Sequence, residues 1–490
     1  MDRFSRLCLW GSTACAFLSL ALLSFDVFPW FRDPVLPHRP TYPLGIAGAV
    51  LFILSGQWRG RMREHRLLLG GILGMAALAV LATARGLQSV PGDVAPDVWT
   101  GFLLWTAIPL AFWLWWAVMF SCLPRERGKQ LFHAAVLLLA LSNLAHIVLE
   151  ILANHGAAGI KDFLVSINPW FRFECIDHGW WPPVYFTDRI RGLFAEPPHM
   201  AVGLIPVLGV ALALSGAKRL WLLAVACWGL IMWQGKIASG LFAFAVTCVA
   251  AALPCYLAVL RRHRIPVLLL TAVLLAGGGW GLHAGWPGIQ ARFQPAFQEA
   301  ESLVRFVKDS HAGKPATCPE LQGGLEVSSL AIRYTCARLD MEAGLSRPLG
   351  MGCMMQGWYW QPLEQCRLER GSELTGFVEG ARSSKLHKYP PMNQYTTLLA
   401  ETGLPGLALF LGLCAMLLWR SVAFAARHRD WYVYGMACTF LGALAALSAI
   451  TLKNATAFTF FAGYLYAISG ERHEAASVTG DAQVPRQVRG

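Results

Sequence analysis

Apolar residues in this chain fall in long runs, and the charges collect in the turns between them. A helix needs about 20 apolar residues to cross the hydrocarbon of a bilayer. Twelve runs approach or meet that length: 7–28, 41–57, 67–84, 99–122, 131–152, 199–215, 220–234, 238–260, 265–283, 395–419, 431–450 and 454–469. The pattern predicts an all-α polytopic membrane protein of about 12 transmembrane helices. The first run follows Arg3 and Arg6 without a clear small-residue cleavage site, and reads as a retained span rather than a signal peptide. Five spans occupy 1–152, four occupy 199–283 and three occupy 395–470; 153–198 and 284–394 are long loops. The polar tail 471–490 reads as disordered.

Orientation follows from the cations of the short loops, which favour the cytoplasmic side. Every second loop is basic: Arg59, Arg61, Arg63 and Arg66; Arg125, Arg127 and Lys129; Lys218 and Arg219; Arg261, Arg262 and Arg264; Arg420, Arg427 and Arg429. These place both termini in the cytoplasm and both long loops outside. A structureless loop as long as 284–394 would be unusual. Within it Phe293, Phe297, Leu303, Val304 and Val307 recur at helical spacing and predict an amphipathic helix over 290–308, lying on the membrane or over the bundle. A second helix is expected over 327–345, broken by the turn signal Arg347-Pro348-Leu349-Gly350-Met351-Gly352.

Composition agrees with lipid as the solvent. The 490 residues are 56% hydrophobic and only 14% charged, against about a quarter charged in soluble domains. The net charge of +12 does not imply nucleic acid, because the cations alternate in a membrane pattern. Of thirteen cysteines, eight lie in or beside apolar runs and read as small buried hydrophobes: Cys8, Cys15, Cys122, Cys227, Cys248, Cys255, Cys414 and Cys438. Cys175, Cys318, Cys336, Cys353 and Cys366 lie in the long loops, where an oxidising compartment would permit disulfides; the sequence does not choose the pairing.

Candidate chemistry gathers around Arg189-Ile190-Arg191-Gly192-Leu193-Phe194-Ala195-Glu196-Pro197-Pro198-His199, which leads directly into an apolar run. Ionisable groups against a membrane helix are costly and mark sites by default. Arg189, Arg191, Lys236, Arg333 and Arg347 are outward cations suited to phosphate, arginine as a bidentate fork and lysine as a point charge. Arg382, Lys385 and Lys388 read as loop solvation. Glu196, held extended before two prolines, is a candidate base or the partner of Arg189 or Arg191. His199 is a base or an interfacial residue. His146 and Glu150 share a helix face, as a proton relay or as a buried pair holding helices together. No zinc spacing and no Asp-x-Asp pair appears, so neither metal nor cofactor is expected.

Three segments together resemble one family. The run 189–198 resembles the Arg–Gly–Phe–Glu–Pro motif of bacterial exopolysaccharide and O-antigen polymerases. Arg333, with Pro348-Leu349-Gly350-Met351-Gly352 fifteen residues on, resembles the outer-loop helix and turn of the O-antigen ligase and polymerase superfamily. Asn393 to Gly406, which includes Glu401, resembles that superfamily's helix start after the loop, and Gln234-Gly235-Lys236-Ile237-Ala238-Ser239 is a fourth match. The resemblance implies a GT-C-like, metal-independent, inverting glycosyltransferase of the bacterial inner membrane. Its donor would be a glycan on undecaprenyl pyrophosphate, with Arg191 and Arg333 on the diphosphate and Arg189 and Lys236 beside them. His199, Arg347, Asn393 and Glu401 would support the site. Ligases carry histidine before the asparagine matched by Asn393; here Met392 stands there, leaving the base open between Glu196 and His387. The implied activity is polysaccharide polymerisation, with ligation to lipid A core as the alternative. A lipid-linked oligosaccharide flippase is the reading from another class. Implied partners are the lipid-linked oligosaccharide, membrane lipid, a chain-length regulator and other export proteins, with no nucleic acid.

Overall fold

The computed structural model describes residues 3–25, 39–89, 95–171, 190–194, 197–263, 265, 294–295, 297–319, 329–366, 393–448 and 456–470. Among them the regular structure is helical, without strands. The helices are α1 Arg3–Ala21, α2 Thr41–Leu54, α3 Arg66–Gly86, α4 Ala95–Cys122, α5 Arg125–Asn154, α6 Ala158–Phe171 and α7 Pro197–Ser215. They continue with α8 Trp221–Gln234, α9 Ala238–Arg262, α10 over 297–311, α11 Ser329–Ser346, α12 Gln394–His428, α13 Trp431–Ala446 and α14 Thr456–Ile468. Seven of these are long and apolar enough to cross a membrane: α1, α3, α4, α5, α7, α9 and α12. Helices α2, α8, α13 and α14 are shorter apolar helices. The apolar run 265–283 lies outside the described residues.

The bundle is built around α14, in which every residue from Thr456 to Ile468 is buried. Its rings interleave with those of α4 and α5: Phe460 stacks on Trp116 at 4.6 Å between centroids, and Tyr464 on Phe132 at 3.7 Å. Gly463 permits the approach, since a Cβ there would sit 2.6 Å from that of Trp116. Such aromatic pairs add to the area that they bury. Around this axis α4 packs on α14, α13 on both α7 and α9, and α12 on α3. Cys8, Cys414 and Cys438 are buried, whereas Cys227 and Cys255 are exposed, on helix faces turned away from the bundle. For those two the expectation of a buried hydrophobe fails, because an apolar thiol on an outward face already has lipid as its solvent.

Contacts gather the basic turns at one end. Arg125 Nη2 lies 2.5 Å from Asp430 Oδ2 and donates to the Ile468 carbonyl at 3.4 Å. Thus the starts of α5 and α13 meet the end of α14. Trp431 Nε1 donates to Leu212 O at 3.2 Å, which draws the Lys218–Arg219 turn to the same end. His65, before α3, meets Ser121 near the end of α4 at 2.9 Å, with Arg61 and Arg66 alongside.

The opposite end carries a cap built from the second long loop. Leu303, Val304 and Val307 of α10 are fully buried with Leu339 and Ala343 of α11, Met351, Met354, Trp360 and Val98. The amphipathic helix therefore lies over the bundle. Helix α11 spans Ser329–Ser346, close to the expected range. A disulfide joins Cys318 to Cys366 across 48 residues of this cap. Cys336 and Cys353 are buried within the cap, and Cys175 lies outside the described residues. The loop 153–198 contains a helix, α6, where a loop was expected.

Candidate functional site

Helix α5 carries a polar stripe on one face. Asn143, His146, Glu150 and Asn154 recur at three- and four-residue spacing, so their side chains line up along the helix. Residues 190–194 lie against that stripe. Glu150 Oε2 accepts from the backbone N–H of Arg191 at 3.0 Å and of Gly192 at 2.8 Å. Asn143 Oδ1 accepts from Leu193 N–H at 3.1 Å and is itself held by Nδ2 donating to Leu139 O at 2.8 Å. Three consecutive backbone donors that would otherwise be stranded in the interior are thereby satisfied. Gly192 takes φ +58°, the left-handed region open to glycine, and a Cβ there would sit 2.8 Å from Asn143 Oδ1.

The same carboxylate faces a guanidinium and an imidazole. Glu150 Oε1 lies 3.8 Å from Arg191 Nε, an ion-pair contact longer than a hydrogen bond, and 3.6 Å from His146 Nδ1. Arg191 is only 3% exposed. A buried guanidinium needs a counter-charge, and Glu150 supplies it from 41 residues away in the chain.

Beside this turn a cavity of about 510 Å³ opens between the ends of three elements. Ile151, Asn154 and His155 line it from the end of α5, Trp233 and Gln234 from the end of α8, and Lys236, Ala238 and Leu241 from the turn into α9. Ile190, next to Arg191, completes the described wall. Lys236 is exposed and takes φ +52°, so its backbone reverses sharply between α8 and α9. That volume falls within the range of small-molecule sites, about 300–1,000 Å³.

The remaining candidates stand in the cap. Arg333 is half-buried on α11, and Arg347 is exposed just past its end. Asn393 caps α12, its Oδ1 accepting from Tyr395 N–H at 2.9 Å and Thr396 N–H at 3.3 Å. Glu401, 3% exposed, accepts from Met354 N–H at 3.0 Å and Gln356 Nε2 at 3.2 Å. It thus holds the turn after α11 onto α12. His199 is half-buried in the first turn of α7. The structure brings Arg191 to the α5 stripe, with Lys236 on the adjoining cavity wall. The helix bearing Arg333 belongs to the separate apolar cluster of the cap. Arg189, Glu196 and His387 lie outside the described residues. Among the described residues, no three His, Cys, Asp or Glu side chains converge as a metal ligand set would.

Fold and site together define a helical protein with the length and composition compatible with multiple membrane passes. No family model matches the chain, and no curated protein matches it.

Proposed function

We propose that the protein is a polysaccharide polymerase of the bacterial inner membrane. It would transfer a growing glycan from undecaprenyl pyrophosphate to a new lipid-linked repeat unit on the periplasmic side. The observation that carries this reading is the Arg191 turn, fixed on the Glu150 carboxylate at the rim of a cavity whose wall bears Lys236. Cations placed in advance around a leaving diphosphate stabilise the charge that develops on it and need no reorganisation during the reaction. The resemblance of the 189–198 and 333–352 segments to the polymerase and ligase superfamily assigns Arg191 and Arg333 to the diphosphate. By the same resemblance Arg189 and Lys236 would assist them, and Glu196 or His387 would be the base.

The reading places twelve spans in a GT-C-like arrangement, with the basic end in the cytoplasm and the cap outside. The Cys318–Cys366 disulfide supports that orientation independently of the cations, since such bonds persist in oxidising compartments. The test is the lipid-linked glycan of a deletion strain. Single repeat units on the carrier are the expected result. Long chains stranded on the carrier would make the protein a ligase, and an unchanged glycan profile would remove it from the pathway. Arg191→Ala and Arg333→Ala should abolish long chains at normal protein level; wild-type chain lengths would refute the assigned roles.

A further inference from the structure

The diphosphate reading uses Lys236 and the Arg191 turn. The rest of the cavity lining is different chemistry. Trp233 is 70% exposed at the end of α8, with its apolar ring available to a ligand. Asn154, His155 and Gln234 line the same space. Amide side chains carry both donors and an acceptor, and an imidazole carries one or both. A flat apolar ring among amides suits a ligand that alternates C–H faces with hydroxyls. Acyl chains offer no hydroxyl to the amides, and a bare diphosphate offers no apolar face to the ring. Among the described lining residues none is acidic, so a neutral or anionic sugar meets no repulsion there.

We infer that the wall formed by Trp233, Gln234, Asn154 and His155 is a saccharide subsite, taking the glycosyl residue next to the diphosphate. The ring of Trp233 carries the sugar face, and the Asn154 and Gln234 amides read its hydroxyls. Asn154 lies one helical turn beyond Glu150 on the same face of α5, so the helix that fixes the Arg191 turn also fixes the sugar reader. The inference rests on the transferase reading for the identity of the neighbouring diphosphate, but not for the saccharide itself.

The experiment uses the full chain purified in a zwitterionic, sugar-free detergent. Two probes are titrated separately by calorimetry: undecaprenyl diphosphate without sugar, and undecaprenyl diphosphate carrying the oligosaccharide extracted from the producing strain. Wild type should bind the glycosylated probe more tightly. Trp233→Phe and Asn154→Ala should each weaken the glycosylated probe about tenfold, the loss of one specific contact. Both variants should bind the sugar-free probe as wild type does and keep its unfolding midpoint. Equal loss for both probes would overturn the proposal and make Trp233 a lipid anchor. So would no loss for either, or no binding at all. A glycan-specific loss with no chain transfer by wild type would keep the subsite and sink the polymerase.

Discussion

Glu150 is one residue on a membrane-length helix, yet three backbone and side-chain groups of a distant turn depend on it. Glu150→Ala strands two buried N–H donors and removes the counter-charge of Arg191. Each unsatisfied buried group costs about 1–3 kcal/mol, so the unfolding midpoint in detergent should fall by several degrees and, under the proposed function, transfer should be lost. Glu150→Gln keeps an acceptor for the two N–H groups but not the charge; it should retain most of the midpoint while activity falls. Equal midpoints for wild type and Glu150→Ala would show that the turn does not need this carboxylate. The sequence made His146 and Glu150 visible as a pair at helical spacing. Asn143 and Asn154 extend the same spacing and were there to be read. What no spacing could show was the partner, because the 190–194 turn meets the stripe only through tertiary packing.

At the scale of elements, α12 and the cap turn depend on each other. Gly403 sits inside α12 at φ +69°, and a Cβ there would lie 2.0 Å from Pro348 O. The kink exposes backbone that the cap uses: Leu404 N–H donates to Pro348 O at 3.2 Å, and Gly352 N–H to Glu401 O at 3.0 Å. Gly403→Ala should release the 347–356 turn and make it cleavable by added protease while the bundle persists; unchanged protection would refute the coupling. Helices α10 and α11 are linked by acid-sensitive chemistry. The Tyr334 hydroxyl donates to Glu301, and this bond, with the Arg338 contact at 3.1 Å, holds the carboxyl below its ordinary 4.5. A depressed carboxyl stabilises the fold above the unfolded value and loses that contribution as pH falls through the folded one. Acidification below 4.5 should therefore lower the unfolding midpoint less in Tyr334→Phe than in wild type. Helical spacing in the sequence located α10 and α11 within a few residues. Helix α6 went unread although Ile160, Phe163, Leu164 and Ile167 carry the same spacing, because a 14-residue helix is too short to register as a span.

Across the whole molecule the two ends are chemically unlike. The basic turns around Arg125, Arg420 and Lys218 gather at one, and the disulfide cap and the cavity at the other. Alternation of charge in the loops made this polarity legible, since it needs only the order of apolar runs. The arrangement of helices around α14 was not, because uniformly apolar helices show no preferred face in sequence. Exposed positions allow a direct check. Arg219→Cys should react with an impermeant maleimide only from the cytoplasmic side, and Lys314→Cys only from the periplasmic side, each above the background of the parent chain. Labelling of both from one side would invalidate the assigned orientation.

The enclosed position of α14 has a consequence for biogenesis. Among the described helices α14 is made last, after α4, α5, α7, α12 and α13, which pack against it. Until then Trp116 and Phe132 lack the rings of Phe460 and Tyr464 on which they stack. A ribosome that stalls after Ala446 would release a product that is nearly full length yet has no centre, and membrane proteases should clear it.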